Sequence, residues 1–181
     1  KLKSTLKNFG FYFATVEPYV EKLPNNLIKI VYKIELGDKS KIKKISFVGD
    51  KIFKDRKLKN VVVSEEYKFW KFLSNRKFLN EDIENLDKRL LKNFYLNKGY
   101  YNVEINSSFA KMINDDEFEL IYNINAGSKV YFNELSISYP EDFNEINYQK
   151  LNELLVNLNG KPYSINSVEK ILNQIDQITI N

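Results

Sequence analysis

Apolar side chains along this chain change their spacing several times, and each change marks an element. From Asn80 onward, Ile83, Leu86, Leu90, Leu91, Phe94 and Tyr95 follow three-and-four spacing, the period of one helix face. Asn80 stands where an N-cap belongs, Glu81 and Asp82 fall in the first turn, and Lys92 and Lys98 lie toward the other end. Gly99 can take the left-handed conformation that stops a helix. The period then drops to two. Val103, Ile105 and Phe109 alternate with Asn102, Glu104 and Asn106, which predicts a strand over residues 101–110. Asn114-Asp115-Asp116 turns the chain, and Phe118, Leu120, Tyr122 and Ile124 return as a second strand.

A shorter copy of this order precedes it. Leu2, Leu6 and Phe9 suit a last helical turn or two, stopped by Gly10. Ala14, Val16 and Val20 alternate with Thr15, Glu17 and Glu21, and Pro18, which cannot donate to a ladder, marks that strand as an edge. Leu23-Pro24-Asn25-Asn26 reads as a turn, and Ile28, Ile30, Tyr32 and Ile34 share one face of the returning strand up to Gly37. A new unit then opens with a strand over residues 42–48, in which Ile45 and Phe47 alternate, and a Gly49-Asp50 turn. Asp55 is the expected N-cap of a short helix with Leu58, Val61 and Val62 on one side. Residues 63–78 carry Tyr67, Phe69, Trp70, Phe72 and Phe78 without clean periodicity, and are expected to pack as a connection over the sheet end.

The copies keep a measurable offset. Gly37 and Gly127 lie 90 positions apart, and at that spacing Ile28, Tyr32 and Ile34 fall on Phe118, Tyr122 and Ile124; Gly10 and Gly99 lie 89 apart. Beyond Gly127, Phe132, Leu135 and Ile137 match Ile42, Ile45 and Phe47, while Tyr163, Val168, Ile171 and Ile175 match Phe78, Ile83, Leu86 and Leu90. The chain therefore reads as the tail of one unit (1–36), a whole unit (37–126) and the front of another (127–181). Each whole unit has the order strand–helix–helix–strand–strand, an α+β class of a size that can fold alone. Lys1 in place of Met, and the apolar run over 177–180, give the expectation that this is a stretch of a longer protein.

Composition then removes chemistry. The chain has no His and no Cys, which excludes imidazole bases, thiolates, disulfides and most zinc sites. The carboxylate pairs Glu65-Glu66 and Asp115-Asp116 are adjacent residues on turns and do not face one substrate. With no nucleophile–base pair, phosphate loop or metal cluster, the reading is a binding module with no catalytic residue, no metal and no cofactor. The net charge is +4, and Lys39, Lys41, Lys43, Lys44, Lys51, Lys54, Arg56, Lys57 and Lys59 form a basic stretch. That stretch supports one alternative, a nucleic-acid-binding KH-like module, which shares the element order and clamps its ligand with a GXXG loop between the helices. Residues 63–79 contain no glycine, so the close backbone approach to phosphate is missing.

The residues also carry a family resemblance. The run Lys41-Ile42-Lys43-Lys44-Ile45-Ser46-Phe47-Val48-Gly49-Asp50-Lys51-Ile52-Phe53 resembles the opening strand and "F-x-G-N-x-x-F" turn of the POTRA family. Phe69-Trp70-Lys71-Phe72, Arg76-Lys77-Phe78, Asp87 before Leu90 and Tyr95, and Lys98-Gly99-Tyr100 are similar to the middle POTRA repeats of outer-membrane β-barrel assembly factors. With the turn at 23–26, they place the chain between a second and a fourth repeat, the whole unit being the third. Asp50 stands where the family usually has Asn, and Leu36-Gly37 and Ala126-Gly127 replace the more usual Glu-Gly. The resemblance implies tandem α+β modules, each with two helices on a three-stranded mixed sheet whose second strand is an edge. It implies binding by β-augmentation along the backbone of Asn102, Val103, Glu104, Ile105, Asn106, Ser107, Ser108 and Phe109. The implied partners are unfolded outer-membrane protein precursors and accessory lipoproteins, on the periplasmic side of the outer membrane. It implies no nucleic acid, and a membrane contact only through a barrel outside this sequence. Polypeptide-secretion transporters with the same modules are the nearest alternative.

Overall fold

A computed structural model of the chain describes residues 1–70, 73–111, 114, 116–138 and 148–180, with the backbone alone at 179 and 180. Its elements are α1 (Leu2–Asn8), β1 (Thr15–Leu23), β2 (Leu27–Glu35), β3 (Lys41–Asp50), α2 (Asp55–Lys59), α3 (Glu81–Leu96), β4 (Glu104–Lys111), β5 (Glu117–Asn125), α4 (Gln149–Leu158) and α5 (Ile165–Ile180). The chain divides into two compact units, Lys1–Leu91 with Ile105–Ile124, and Lys92–Glu104 with Asn125–Asn181.

In the first unit β1 and β2 form an antiparallel hairpin in register from Thr15↔Glu35 to Leu23↔Leu27. Asn25 and Asn26 turn it with φ of 62° and 57°, left-handed values that Asn tolerates better than most residues. This register gathers Val16, Pro18 and Val20 opposite Ile34, Tyr32 and Ile30 on one face. The other face pairs Glu17 with Lys33 and Glu21 with Lys29 across the strands. The hairpin is a separate two-stranded sheet, and nearly all its residues are exposed.

The larger sheet has the order β3-β5-β4. The Lys41 N–H donates to the Asp116 carbonyl, and Lys43 and Lys44 pair with Glu117 and Glu119. Partners ascend together on both strands, so β3 and β5 run parallel. The short connection at 112–116 allows only an antiparallel pairing of β4 with β5, which makes the sheet mixed. Its core side presents Ile42, Ile45 and Phe47 from β3 and Phe118, Leu120, Tyr122 and Ile124 from β5, all buried along with Leu58, Leu79 and Leu91. Asn80 caps α3 as expected, its Oδ1 accepting from the Asp82 and Ile83 N–H groups at 3.0 Å. Asp55 does not cap α2. Lys54 holds that position, and Asp55 is the first helical residue, its carboxylate taken by Lys51 Nζ at 2.5 Å.

Asp87 is fully buried on the apolar stripe of α3. Its carboxylate accepts from the backbone N–H of Val63, from that of Ser64 at 3.2 Å, and from the Tyr122 hydroxyl at 2.6 Å. One side chain thus joins the connection, the long helix and the central strand. Burial, then the Asp87 charge and hydrogen bond, hold the Tyr122 hydroxyl far above its ordinary value of 10.0. The Phe47 ring stacks on Tyr122 at 5.6 Å between centroids.

In the second unit Tyr148, Leu151 and Leu155 pack with Leu135, Ile137, Ile171, Ile175 and Ile178. The repeat leads one to expect a strand through Phe132, Leu135 and Ile137. Among the described residues only an isolated bridge, Tyr131↔Pro162, forms there, because alternation alone does not make a strand without a partner strand to pair with. The repeat nevertheless survives in the hydrogen bonds. Ile42 N–H to Lys77 O and Leu79 N–H to Ser40 O, both 2.8 Å, recur as Phe132 N–H to Lys161 O at 2.9 Å and Tyr163 N–H to Val130 O at 3.0 Å. Ser40 and Val130 keep the spacing of 90, whereas Lys77 and Lys161 are 84 apart, so the whole stretch between these hydrogen-bonded ends is six residues shorter in the second copy. Tyr163 therefore answers to Leu79 in the hydrogen bonding, and not to Phe78 as the apolar pattern suggests. The entry recurs as well: Ser40 N–H donates to Gly10 O at 2.9 Å, and Val130 N–H to Gly99 O at 2.8 Å.

Removing the Asp87 carboxylate strands two backbone donors and a hydroxyl in the core, each at a cost of about 1–3 kcal/mol. Asp87→Ala should lower stability by about 3–5 kcal/mol in urea unfolding, and Asp87→Asn, which keeps one acceptor oxygen, by less. The raised Tyr122 value gives the alkaline limb its sign. Its contribution is complete below pH 10.0 and is lost as pH rises toward the folded-state value, so alkaline unfolding should begin above pH 10.0 and be shallower in Tyr122→Phe.

Candidate binding edge

The strand expected over residues 101–110 begins three residues later, at Glu104, and runs to Lys111. The cause lies at the helix stop. Gly99 takes φ of 96°, Tyr100 N–H returns to Tyr95 O at 3.1 Å, and the Tyr101 ring stands edge-on to Tyr163 at 5.1 Å. Residues 100–102 are thus used in a turn before pairing with β5 starts. Of the eight residues expected on the edge, Asn102 lies in that turn and Val103 is buried ahead of the strand, while Glu104, Ile105, Asn106, Ser107, Ser108 and Phe109 lie in β4.

Within β4 the side chains alternate. Ile105, Ser107 and Phe109 are half-buried, and Glu104, Asn106, Ser108 and Ala110 are exposed. The Ser107 hydroxyl donates to the Glu84 carboxylate of α3. Phe109 meets Tyr12 edge-on at 4.9 Å and Phe13 at 5.9 Å, and Phe13 stacks on Phe118 at 5.1 Å. Burial, then Glu84 and Glu81, push the Tyr12 hydroxyl up.

The two outer strands of the sheet differ in what flanks them. Beside β3 runs the connection: Lys41 bridges Phe78, Ile42 N–H bonds Lys77 O, Tyr67 N–H bonds Ile42 O, and Ile45 N–H reaches Glu66 Oε1 at 3.1 Å. Among the described residues β4 has one strand neighbour, β5.

The basic stretch is largely neutralised by the same fold. Lys41, Lys43 and Lys44 hold Asp116, Glu117 and Glu119 on β5, Lys51 holds Asp55, and Lys59 holds Glu66. The Lys41 hydrogen bond holds Asp116 below its ordinary value, and Lys44, then Ser46, do the same for Glu119. Lys39 lies over the Phe11 and Phe78 rings. A groove of about 600 Å³ between α2 and the outer face of β3 and β5 has these self-paired charges for walls. Among the described residues no group of His, Cys, Asp and Glu is placed to hold a metal.

Residues 40–127 match the POTRA family, the surface antigen variable number repeat. Residues 40–127 belong to the POTRA family. The chain is 28% identical to the outer membrane protein assembly factor BamA of Neisseria meningitidis serogroup B, over 96% of this chain and 22% of that protein. It is 26% identical to BamA of Buchnera aphidicola, over 96% of this chain and 28% of that one. The chain thus spans about a quarter of these relatives. A crystal structure of Haemophilus influenzae BamA POTRA3-5 superposes with a TM-score of 0.61 at 12% identity, over 97% of this chain and 66% of that one, a likeness of fold. A POTRA region of such an assembly factor is non-enzymatic.

The POTRA signature residues now have physical roles. Gly49, with φ of 83°, lets the end of β3 close on β5: a Cβ there would stand 2.5 Å from the Ile124 carbonyl. Asp87 is the buried junction. Sequence reading missed that role, although a carboxylate between Ile83 and Leu91 on one helical stripe was a visible signal. The tip of the connection departs from expectation. Phe69 and Trp70 do not pack over the sheet end; they are 80% and 58% exposed, because Ile42, Phe78 and Leu79 already close that end. Phe72, Lys71 and Asp115 lie outside the described residues.

Gly49→Ala should cost about 2–4 kcal/mol, from the left-handed backbone and the clash with a carbonyl that cannot move away. Thermal or urea unfolding will read it, and a cost below about 1 kcal/mol would contradict the contact.

Proposed function

We propose that this chain is POTRA array from a BamA-type outer-membrane protein assembly factor, working on the periplasmic side of the outer membrane. In this reading β4 takes up extended segments of unfolded outer-membrane protein precursors, and of accessory lipoproteins, as an added strand. The observation that carries it is the asymmetry of the sheet: the connection flanks β3, and among the described residues β4 has a strand on one side only. An unpaired row of backbone donors and acceptors is a template for another chain, and main-chain pairing is nearly indifferent to sequence. That indifference suits a factor that handles many clients. The exposed face of β4 is short, polar and partly charged, which limits uncontrolled edge-to-edge pairing.

We also propose residues 1–36 as the closing hairpin of one module, 37–126 as a complete module and 127–181 as the opening part of the next. The repeat supports this. Tyr32 is 56% exposed on the hairpin, whereas Tyr122, 90 positions on, is fully buried; Ile28, Ile30 and Ile34 stand in the same relation to Phe118, Leu120 and Ile124. The apolar face of β1–β2 is then a core face whose cover belongs to the preceding half of its own module.

Proline placed along β4 tests the edge. Alternate residues aim their N–H at β5 or away from it, so Ile105→Pro and Ser107→Pro should behave as one class and Asn106→Pro and Ser108→Pro as the other. One class should unfold the module. The other should keep its circular dichroism and lose binding of an unfolded barrel precursor by about tenfold. If folded variants of that class retain full precursor binding and support outer-membrane assembly in cells, β4 is not the docking strand. For the module boundaries, Leu120→Ala should cost about 2–5 kcal/mol and Ile30→Ala less than about 0.5 kcal/mol in this 181-residue chain. Extending the polypeptide upstream should make Ile30→Ala costly as well.

A further inference from the structure

The connection between α2 and α3 carries a feature that neither the sheet edge nor the fold accounts for. Phe69 and Trp70 stand edge-on with ring centroids 4.8 Å apart, and both are mostly exposed; Leu73, close by in sequence, is 91% exposed. Burying such side chains in an apolar phase is favourable, and leaving three of them on one tip forgoes it. The charge around them has one sign. Residues 67–78 include Lys68, Lys71, Arg76 and Lys77 and no Asp or Glu. The Lys68 ammonium lies over the Trp70 ring, 5.6 Å from its centroid. The two acids that precede this stretch, Glu65 and Glu66, are half-buried, and Glu66 is engaged by Lys59 and by the Ile45 N–H.

We propose that Phe69, Trp70 and Leu73 seat in the boundary between headgroups and acyl chains of an anionic phospholipid bilayer, with Lys68 and Arg76 at the level of the phosphates. The combination fits that occupant. Tryptophan favours the membrane–water interface, where its ring is in an apolar phase and its N–H in a polar one, and Lys or Arg beside it adds attraction to anionic lipid. Charge complementarity decides against a general apolar partner: a tip with cations and no acid is matched by a surface of phosphates. The contact is interfacial, and no described helix is long and apolar enough to cross a membrane. Because three side chains and two cations make a modest anchor, binding is reversible and depends on the charged lipid.

Trp70 is the only tryptophan of the chain, so it reports its own environment. The 181-residue protein should sediment with vesicles of phosphatidylethanolamine and phosphatidylglycerol but not with phosphatidylcholine alone. Its emission should shift to the blue and be quenched by lipids brominated in their acyl chains. The double variant F69S/L73S keeps the reporter, removes little from the core, and should bind those vesicles about tenfold more weakly with an unchanged urea transition. Absence of a blue shift with anionic vesicles overturns the proposal, as does a double variant that binds as the parent does. Trp70 emission that responds to a purified protein partner of the assembly complex, and not to any vesicle, would assign the tip to protein docking and equally overturn it.

Discussion

A fully buried carboxylate must satisfy its oxygens within the protein, and Asp87 can do so only if three separate segments converge on it. The Val63 and Ser64 amides come from the connection, the hydroxyl of Tyr122 from the central strand, and the carboxylate itself from the long helix. None of these partners is close in sequence to the others. Apolar packing between helix and sheet would tolerate small shifts in register; hydrogen bonds at 2.6–3.2 Å to a buried charge do not. The position of the connection follows from this, and with it the protection of β3. A segment anchored at Val63–Ser64 and again by the bridge at Phe78 must run along the β3 edge.

The asymmetry of the sheet is therefore a consequence of the core. The chain between the two helices covers one outer strand, and the returning hairpin leaves β4 as the other. Side chains on β4 are held by Glu84 at Ser107 and by the aromatic group at Phe109. The ion pairs at β3 and the start of β5 take up three of the lysines that make the sequence look basic, Lys41, Lys43 and Lys44.

Much of this was legible in the sequence. The change of period at Gly99, the Asn80 cap and the Asn25-Asn26 turn each have a local physical cause, and each led to the observed element. Partnering across distance was harder to read. The strand through Phe132 and Ile137 did not form because strand formation depends on a partner, not on alternation alone. The start of β4 was misplaced because residues after a helix stop can be consumed by a turn held by Tyr163, far along the chain. The basic stretch gave no hint of its distant acidic partners, Asp116, Glu117 and Glu119, at the start of β5 some 75 residues later. Aromatic content suggested a packed connection, but aromatic residues do not say which of them find cover; Tyr67 and Phe78 are half-buried, while Phe69 and Trp70 are exposed.

The connection between the two helices covers residues 60–80 in one copy and only 159–164 in the next, yet the hydrogen bonds that flank the helical part are the same. Length has been allowed to drift between those bonds while the glycine-bounded entries stayed in step. For evolution, that makes the connection the part of a module that can acquire a new contact without disturbing its neighbours. For engineering, it marks the site where a probe or a binding peptide can be grafted, between two anchors the fold already holds.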